Sequence, residues 1–475
     1  MQSLALALAI VGLAVAPATT ADAAPPNILF LLTDDQSFET VRAFGHTDID
    51  TPHLDRLVAR GTTFTHAYNM GSWTPAVCVA SRTMLVTGRS LWRARSIYPA
   101  TDREREEGRL WPQLMARAGY FTGFTGKWHV NTEVAKVFHE ARHIRGGMPG
   151  DTPEGYLRPP ADKPDPWSPS DPKFGGFWAG GKHWSEVTAD DAVAFLEAGR
   201  SPAQPFFLYV AFNAPHDPRQ SPQAYVERYA LDRIAVPTNF LPVYPYLNDI
   251  GCGPDLRDEK LAPFPRTSHA VQVHRQEYYA LITHLDAQIG RILDALDHSG
   301  QADRTWIFFT ADQGLAVGHH GLLGKQNLYE HSLRVPFVVA GPGVRAGATI
   351  PAPIYLQDVM ATALDLANIP RPNTLEFHSL LPLLRGEASP AAREAIYGAY
   401  LDLQRAVIHG GWKLLLYPKA RVARLYHLAV DPGETRDLSG DPAHAARRQA
   451  LFQRLRTLQQ ELADPLDLTA AFPQR

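Results

Sequence analysis

One cysteine lies where a helix is predicted to begin. In the segment TPAVCVASRTMLVTGR, Cys78 is one of only two cysteines in the chain, and Arg82 follows four residues later. Thr74 can cap a helix and Pro75 suits its first position, so Cys78 falls in the first turn, where the helix dipole favours a negative charge. Arg82 shares its face and Gly88 ends the helix. These residues alone leave two interpretations open: a reactive thiol facing a cation, or a buried structural cysteine.

Carboxylates follow two apolar runs. Asp34 and Asp35 end the run NILFLLTDD, and Asp312 and Gln313 end the run TWIFFTADQ. Adjacent carboxylates repel unless a cation neutralises them. Three carboxylates with an amide carbonyl are hard oxygen ligands, which suit Ca²⁺ or Mg²⁺ rather than zinc. The alternative is that these acids only solvate a loop or cap a helix.

Two lysines and two histidines form the third candidate group. Lys127 and His129 end the run YFTGFTGKWH, His216 follows PFFLYVAFNAP, and Lys325 lies in GLLGKQN. Taken singly, a histidine is more often a satisfied hydrogen-bonding group and a lysine more often a surface residue. Together beside a metal ion they would form a cationic pocket for a tetrahedral oxyanion.

The elements that must position these residues are buried strands of a parallel sheet. Near-continuous apolar runs predict strands covered on both faces, and a fifth run, VPFVVAGPG, lacks a polar cluster. The segment EYYALITHLDAQIGRILDALDHSG has helical spacing and stops at Gly300. This alternation predicts an α/β fold with a largely parallel sheet, in which ligands bind beyond the carboxyl ends of the strands. We therefore expect the polar clusters to face one crevice.

The chain divides into three predicted regions. Residues 1–24 resemble a secretory signal with an apolar run and a small-residue cleavage site, and the run is too short for the alternative of a membrane anchor. Residues 25–380 form the predicted catalytic domain. Residues 381–475 form a smaller domain with short antiparallel strands, AVIHGGWKLLLYP among them, and a terminal helix from about Pro442 to Ala463. A proline-rich stretch after His216 is predicted to be a loop that shapes the site.

The net charge and the cysteine content bear on possible partners and on disulfide formation. The formal net charge of −3 over 475 residues gives no indication of nucleic-acid binding. The two cysteines, Cys78 and Cys252, allow either one disulfide in an exported protein or two free thiols.

With these motifs in place, the chain resembles the type I sulfatases of the alkaline-phosphatase superfamily. The segment CVASRTMLVTGR matches every fixed position of the family signature C-x-[P/A]-S-R-x-x-L-x-T-G-R. The resemblance continues through NILFLLTDDQ, GKWH, APHDP, FTADQG, GLLGKQNLYEHSLRVPFVVAGPGV and LYHLAVDPGETRDL, and so covers nearly the whole chain after the signal. It implies an alkaline-phosphatase-like fold with a smaller C-terminal domain.

The resemblance also implies a mechanism. Cys78 would be oxidised to formylglycine by a maturation enzyme; one hydroxyl of the aldehyde hydrate would attack sulfur, and loss of the second hydroxyl's proton would release sulfate. Arg82 and Lys127 would hold the hydrate, and His129 would be the base. His216 and Lys325 would contact sulfate, with His216 protonating the leaving oxygen. The ligands of a Ca²⁺ ion, or of Mg²⁺, fall on Asp34, Asp35, Asp312 and Gln313, with modified Cys78 beside them.

Two departures from the family pattern and three hypotheses complete the sequence interpretation. Ala80 replaces the more usual proline, which affects the choice of maturation enzyme, and Gln313 replaces Asn or His with a carbonyl one methylene further out. The leading hypothesis is an exported, periplasmic or secreted sulfatase acting on a sulfated saccharide, with His319 and His320 as candidates for the sugar subsite. The alternatives are a phosphodiester or phosphonate monoester hydrolase of the same superfamily, and an inactive carbohydrate-binding relative.

Overall fold

The structure is a computed structural model that describes residues 25–46, 48–148, 150–198 and 203–473. The predicted signal, residues 1–24, lies outside the described residues. Within the described ranges, none of the helices combines the length and the apolar character that crossing a bilayer requires.

Eighteen strands form four sheets within the residues that the structure describes. In chain order they are β1 (Asn27–Thr33), β2 (Thr62–Phe64), β3 (Ala67–Tyr68), β4 (Gly71–Ser72), β5 (Phe121–Lys127), β6 (Glu140–Arg145), β7 (Trp178–Ala179), β8 (Lys182–His183), β9 (Phe206–Ala211), β10 (Thr305–Ala311), β11 (Arg334–Val335), β12 (Phe337–Ala340), β13 (Ala348–Ile350), β14 (Ile354–Tyr355), β15 (Ala395–Tyr400), β16 (Gln404–His409), β17 (Trp412–Tyr417) and β18 (Val422–His427).

Twelve α-helices accompany the strands in the described part of the chain. They are α1 (Pro52–Arg60), α2 (Val77–Thr87), α3 (Leu91–Ile97), α4 (Thr101–Glu106), α5 (Trp111–Arg117), α6 (Trp184–Glu197), α7 (Gln223–Val226), α8 (Ser268–His298), α9 (Glu330–Leu333), α10 (Asp358–Leu366), α11 (Leu381–Leu384) and α12 (Ala445–Glu461).

The largest sheet confirms the predicted α/β fold. Its strand order is β13-β2-β12-β10-β1-β9-β5-β6. The five strands from β10 to β6 pair in parallel, and β12, the fifth apolar run of the sequence, pairs antiparallel with β10. The four strands that carry the polar clusters, β1, β5, β9 and β10, are therefore neighbours with their carboxyl ends at one edge.

Strand β1 shows why the apolar runs are continuous rather than alternating. All seven of its residues are buried. Ile28 and Phe30 pack into the hydrophobic cluster that includes α2, and Leu29 and Leu31 pack into the cluster that includes α8. Since helices cover both faces, the five positions between Asn27 and Thr33 are all apolar.

Two helix boundaries differ from the sequence prediction. Helix α8 ends at the predicted place but begins at Ser268, because the Thr267 side chain accepts a hydrogen bond from the backbone N–H of Ala270 and caps the helix there. Helix α12 covers Ala445–Glu461, and one turn of 3₁₀-helix occupies Pro442–His444 before it.

The predicted antiparallel strands near the C-terminus form a five-stranded sheet. Its order is β18-β17-β16-β15-β4, and the first four strands pair antiparallel. The fifth, β4, comes from just before the Cys78 helix and pairs in parallel with β15, Gly71 beside Ala399. The C-terminal sheet is thus completed by the segment that leads into α2.

Candidate active site

The acid clusters meet because β1 and β10 run side by side in register. Thr33 pairs with Ala311, so Asp34 and Asp312 leave the sheet at the same level. The backbone N–H of Asp35 donates to Oδ1 of Asp312 at 3.2 Å. Asp34, Asp35, Asp312 and Gln313 are all buried, which excludes the alternative that these acids only solvate a loop.

Cys78 lies in the first turn of α2, but that helix does not begin as predicted. It begins at Val77, its N-terminal flanking residue Ala76 makes no side-chain cap, and Pro75 lies outside the helix. The expectation that Thr74 caps it is wrong, because Ser72 Oγ instead binds both backbone groups of Thr74 and holds a turn there. The helix end is as predicted: Gly88 is left-handed, with φ of 68°.

The start of α2 brings Cys78 against the acids. Ligand atoms of Asp34, Cys78 and Asp312 all lie within 4.8 Å of one another. The two cysteines of the chain are both free and buried, so a disulfide between Cys78 and Cys252 is excluded.

Arg82 neutralises part of the acid cluster. Its Nε donates to Oδ2 of Asp312 at 2.9 Å, and its Nη2 lies 3.7 Å from Oδ1 of Asp34. Its Nη1 donates to the backbone carbonyl of Lys127. The side chain is fully buried, so these contacts hold the guanidinium in one place.

Lys127 reaches the same centre from the end of β5. Its ammonium group donates to Asp34 and lies 3.5 Å from Sγ of Cys78. The pairing of β5 with β6 shifts register just before this lysine, because Thr125 lies opposite Arg142 and Gly126 opposite Ile144, so the extra residue of the bulge is His143 of β6. Gly126 has φ of +99°, and a Cβ there would lie 1.9 Å from the carbonyl oxygen of Ala211, so only glycine fits.

His216 and Lys325 form a hydrogen-bonded pair on the other side of the acids. Lys325 Nζ donates to Oδ2 of Asp35 at 2.7 Å and lies 2.9 Å from Nε2 of His216. Because an ammonium group can only donate, Nε2 accepts, and Nδ1 carries the proton that it donates to the carbonyl of Asp217 at 2.7 Å. Burial and the adjacent Lys325 lower the pKa of His216, which agrees with a neutral ring.

His129 lies half-buried two residues beyond Lys127. Its backbone is left-handed, with φ of 54°, and its Nδ1 is buried without a hydrogen-bond partner among the described residues. Burial, Lys127 and Arg82 together lower the pKa of His129 to about 3. The ring is therefore neutral at physiological pH and available as a proton acceptor.

Burial and the neighbouring charges shift the pKa values of the charged groups in this centre in different directions. Burial alone would raise the pKa of Asp34, but the surrounding cations, Lys127 first, hold it well below its usual range. Burial and the neighbouring Asp34 raise the pKa of Asp312 to about 7 in spite of Arg82. Burial would lower the pKa of Lys127, but Asp34 raises it above the ordinary lysine value.

The donor set fits a hard divalent cation. Gln313 Nε2 donates to Oδ1 of Asp35 at 2.7 Å, which leaves Gln313 Oε1 buried with no hydrogen-bond partner among the described residues. Oδ1 of Asp34 is also buried without one. Buried oxygens without donors, next to mutually repelling carboxylates, are what an oxygen-liganded cation would satisfy. A second group of possible ligands, Asp35, His216 and Asp217, is less suited, since the Lys325 ammonium contacts two of them.

The two histidines predicted for a sugar subsite take different positions. His319 is half-buried beside a cavity of about 310 Å³, where its Nε2 lies 2.7 Å from Oε1 of Glu39. His320 is buried, stacked on Tyr329 with centroids 3.9 Å apart, and its Nε2 donates to the carbonyl of Glu434. Among the described residues, no hydrogen bond or ion pair joins either histidine to Cys78, Lys127 or His216.

Three charged residues near the site were missed by the sequence interpretation. Asp217 lies beside His216, Arg257 donates to Asp217, and Asp258 lies 3.9 Å from Lys325 Nζ. Asp217 is visible in the quoted motif APHDP. Arg257 and Asp258 lie in the proline-rich stretch, far from any strand end, so no pattern in the sequence indicated them.

Comparisons with known proteins show the family of the chain. A family model described as Sulfatase matches residues 26–369, and one described as N-sulphoglucosamine sulphohydrolase, C-terminal, matches residues 318–461. Among curated proteins, the chain is similar to an N-acetylglucosamine-6-O-sulfatase of Bacteroides thetaiotaomicron, with 24% identity over 92% of this chain and 87% of that protein.

Solved structures share the fold. One, of a protein in complex with its substrate D-glucosamine-2-N,6-O-disulfate, has a TM-score of 0.71 and 23% identity, covering 93% of this chain and 99% of that one. Another, a phosphonate monoester hydrolase of Agrobacterium radiobacter, has a TM-score of 0.72 and 20% identity, covering 92% of this chain and 96% of that one.

Proposed function

The chain belongs to the sulfatase family and is a sulfuric ester hydrolase, and from that premise we propose that it is an exported enzyme that removes sulfate from a carbohydrate. The observation that carries the proposal is the position of Cys78. Its Sγ lies 3.5 Å from the Lys127 ammonium and within 4.8 Å of carboxylate oxygens of Asp34 and Asp312.

The surroundings of Cys78 argue against an unmodified thiol as the nucleophile. Burial raises the pKa of the Cys78 thiol, despite the nearby Lys127 and Lys325. Such a thiol is protonated at neutral pH and a poor nucleophile. Conversion of Cys78 to formylglycine by a maturation enzyme would supply a hydrated aldehyde whose two hydroxyls serve for attack and for release of sulfate.

A divalent cation completes the proposal. Asp34, Asp35, Asp312 and Gln313 would hold it, with modified Cys78 beside them, and the all-oxygen set suits Ca²⁺, with Mg²⁺ as the alternative. When bound, the ion would polarise a sulfate oxygen and lower the pKa of the formylglycine hydrate.

Side chains of the protein hold the reacting groups and carry out the proton transfers. Arg82 and Lys127 hold the oxygens of residue 78, and both side chains are fixed by the carboxylates they bind. His129, kept neutral, accepts the proton of the second hydroxyl. Lys325 contacts sulfate, and its ammonium group supplies a proton to Nε2 of His216, from which the proton passes to the leaving oxygen and leaves Lys325 as the neutral amine.

The charge balance of the centre favours an anionic ester. The carboxylates of Asp34, Asp35 and Asp312 are matched by three buried cations, Arg82, Lys127 and Lys325. A divalent cation adds an excess positive charge, which attracts an anionic ester. A sulfate monoester has one negative charge, as do a phosphodiester and a phosphonate monoester, so these two phosphorus esters are the alternative substrates to test.

The proposed carbohydrate substrate and the proposed cellular location are supported by different observations. The similar N-acetylglucosamine-6-O-sulfatase supports a saccharide substrate, and we retain His319 and His320 as candidate subsite residues, with His319 the one that lines a cavity. The signal pattern in residues 1–24 supports export to the periplasm or medium.

A panel of paired substrates tests the proposal. The purified, mature protein is assayed for sulfate release from defined sulfated mono- and disaccharides, and for hydrolysis of matched aryl sulfate, phosphodiester and phosphonate esters. We expect desulfation of at least one saccharide and a higher kcat/KM for the sulfate than for the phosphorus esters. Preference for the phosphodiester would replace the sulfatase assignment with the alternative one.

A further inference from the structure

A tryptophan at the entrance to α2 leaves its polar atom unused. Trp73 directly follows β4 and precedes Cys78 by five residues, and its side chain is half-buried against the main hydrophobic cluster. The segment after it is fixed beside the site, because Gln326 Nε2, next to Lys325, donates to the carbonyl of Pro75 at 3.0 Å. Trp73 therefore belongs to the segment that leads to the reacting residue.

Tyr98 joins Trp73 to the segment that carries His129. The two rings have centroids 5.9 Å apart and are tilted by 57°. Asn131, two residues beyond His129, donates from Nδ2 to the carbonyl of Tyr98 at 3.0 Å. Thr132 makes a second link, donating to Oδ1 of Asp102 at 2.7 Å. The aromatic pair thus connects the segments that position Cys78 and His129.

Both aromatic side chains keep a free hydrogen-bonding group. Neither the Nε1 of Trp73 nor the hydroxyl of Tyr98 has a hydrogen-bond partner in the part of the chain that the structure describes. The nearby Trp92 and Trp128 differ, since their Nε1 atoms donate to the Tyr397 hydroxyl and to the carbonyl of Thr132. A half-exposed aromatic face with an unused polar tip is suited to a ligand that is apolar on one face and polar at its edge.

We propose that Trp73 and Tyr98 form the stacking face for a sugar ring of the sulfated substrate. The C–H face of a pyranose packs on the indole, and ring hydroxyls pair with Trp73 Nε1 and the Tyr98 hydroxyl. This rests on the proposed function, and it adds a specificity: cyclic saccharide sulfates are preferred to open-chain alkyl sulfates. Since the contact is made away from the sulfate, it stabilises ground state and transition state alike, and its loss raises KM rather than lowering kcat.

Substitution of Trp73 tests the stacking face. On the saccharide sulfate that the wild type hydrolyses best, Trp73→Ala is expected to raise KM about tenfold with kcat little changed. Trp73→Phe keeps a ring and is expected to lose less. Trp412→Ala is the matched control, because that half-buried indole stacks on His427 in the C-terminal sheet and should leave KM unchanged.

A second substrate separates binding from structural damage. A small alkyl sulfate with no ring should be hydrolysed with the same kcat/KM by wild type and Trp73→Ala. In a separate measurement by calorimetry, the inactive Cys78→Ala protein should bind the saccharide more weakly when it also carries Trp73→Ala. An unchanged KM for the saccharide, or an equal loss on the alkyl sulfate, would overturn the stacking face while leaving the sulfatase assignment intact. If the wild type released no sulfate from any saccharide, the proposed substrate class and the stacking face would both fail.

Discussion

At the scale of single residues, the active centre is a set of buried charges whose positions fix one another. Lys127 binds Asp34, Arg82 binds Asp312, and Lys325 binds Asp35. Each cation also restrains a group with a proposed chemical role: Lys127 lies by Cys78, and Lys325 by His216. Removing one charged partner therefore leaves another buried charge uncompensated, so stability and activity must be measured together in any variant of this centre.

Cys78→Ala is expected to change the activity of the protein without changing its stability. We expect kcat to fall by at least about 10³-fold, because the proposed nucleophile is absent, with little change in melting temperature, because no salt bridge is removed. Mass spectrometry of the peptide that contains Cys78 in active wild-type protein should show formylglycine, about 18 Da below the thiol from the atomic change.

The other cysteine provides the control. Cys252→Ala removes a thiol that is equally buried and hydrogen-bonded to the carbonyl of Gln326, and it should leave kcat near that of wild type. Active protein with only unmodified Cys78 would refute the formylglycine mechanism.

His129 should remain neutral through the working range of the enzyme. Its pKa is lowered to about 3, so protonation becomes significant only well below pH 5. We expect its imidazole NMR signals, assigned by comparison with His129→Gln, to stay constant between pH 5 and pH 8. A titration midpoint near 6.5 would contradict the lowering of its pKa by burial, Lys127 and Arg82.

At the scale of elements, the site depends on where strands end and how they are interrupted. Strands β1, β9 and β10 deliver their polar residues by running in register, and β5 also pairs with β9 without a shift, while a bulge in β6 lies opposite the end of β5. Just before Lys127, β5 requires a left-handed residue whose Cα approaches the carbonyl of Ala211, and Gly126 is that residue.

Gly126→Ala tests the close approach of β5 to the Ala211 carbonyl. The added Cβ meets backbone that cannot move aside, so we expect it to lower the free energy of unfolding by at least about 2 kcal/mol more than Gly119→Ala does. Gly119 is the matched control, since its φ of +89° imposes similar strain while a Cβ there would have no neighbour within 4 Å. Denaturant unfolding and kcat of both variants give the comparison; equal effects would mean that the end of β5 is not tightly constrained.

At the scale of the whole molecule, the two parts of the chain are joined through shared structure. Strand β4 completes the C-terminal sheet, and the buried Lys413 of that sheet binds Glu330 and Glu434 at 3.2 and 2.9 Å. The division near residue 380 stays a prediction, and β4 shows that the C-terminal sheet is not built from residues 381–475 alone.

Buried neutral histidines predict acid sensitivity of the whole fold. His183 and His274 each donate from Nε2 to a carbonyl and accept at Nδ1, and burial holds both pKa values well below 6.5. Below pH 6.5 the unfolded chain takes up protons that the folded chain does not. The free energy of unfolding should therefore fall with decreasing pH, by up to about 1.4 kcal/mol per pH unit for each histidine.

His274→Gln isolates one of the two contributions. Glutamine can supply the same donor and acceptor, so we expect the variant to fold and the pH dependence of unfolding below pH 6.5 to become shallower. His269→Gln, at an exposed position, should leave the slope as in wild type. The measurement is urea unfolding between pH 4.5 and 7.5, and identical slopes in all three proteins would contradict the assignment.

Removal of the divalent cation should weaken the fold as well as the activity. A ligand present at 100 times its Kd stabilises the native state by about 2.7 kcal/mol, and here it also relieves repulsion between carboxylates. We expect a chelator to lower the melting temperature and abolish turnover, and Ca²⁺ to restore both. Asp312→Asn should make the melting temperature insensitive to the chelator; a wild-type protein that is insensitive as well would argue against a bound cation.

The sequence by itself determined the strands, the residues at their ends and the signature around Cys78, because each is encoded in a short contiguous segment. Burial on both faces requires unbroken apolar runs, and a polar cluster can begin only where such a run stops. The meeting of Asp34 with Asp312 needs one thing more, the strand order that places β1 beside β10, and the structure supplies it.

Tertiary structure alone decided the contacts between segments that share no local pattern. Lys325 lies 290 residues from Asp35, Gln326 fixes Pro75, and Asn131 links Tyr98 to the His129 segment. The start of α2 at Val77 was also decided this way, because Ser72 takes the backbone groups of Thr74 in a turn that begins at the edge of the C-terminal sheet. Such contacts depend on how loops pack over the finished sheet, and packing is a property of the whole chain rather than of any segment within it.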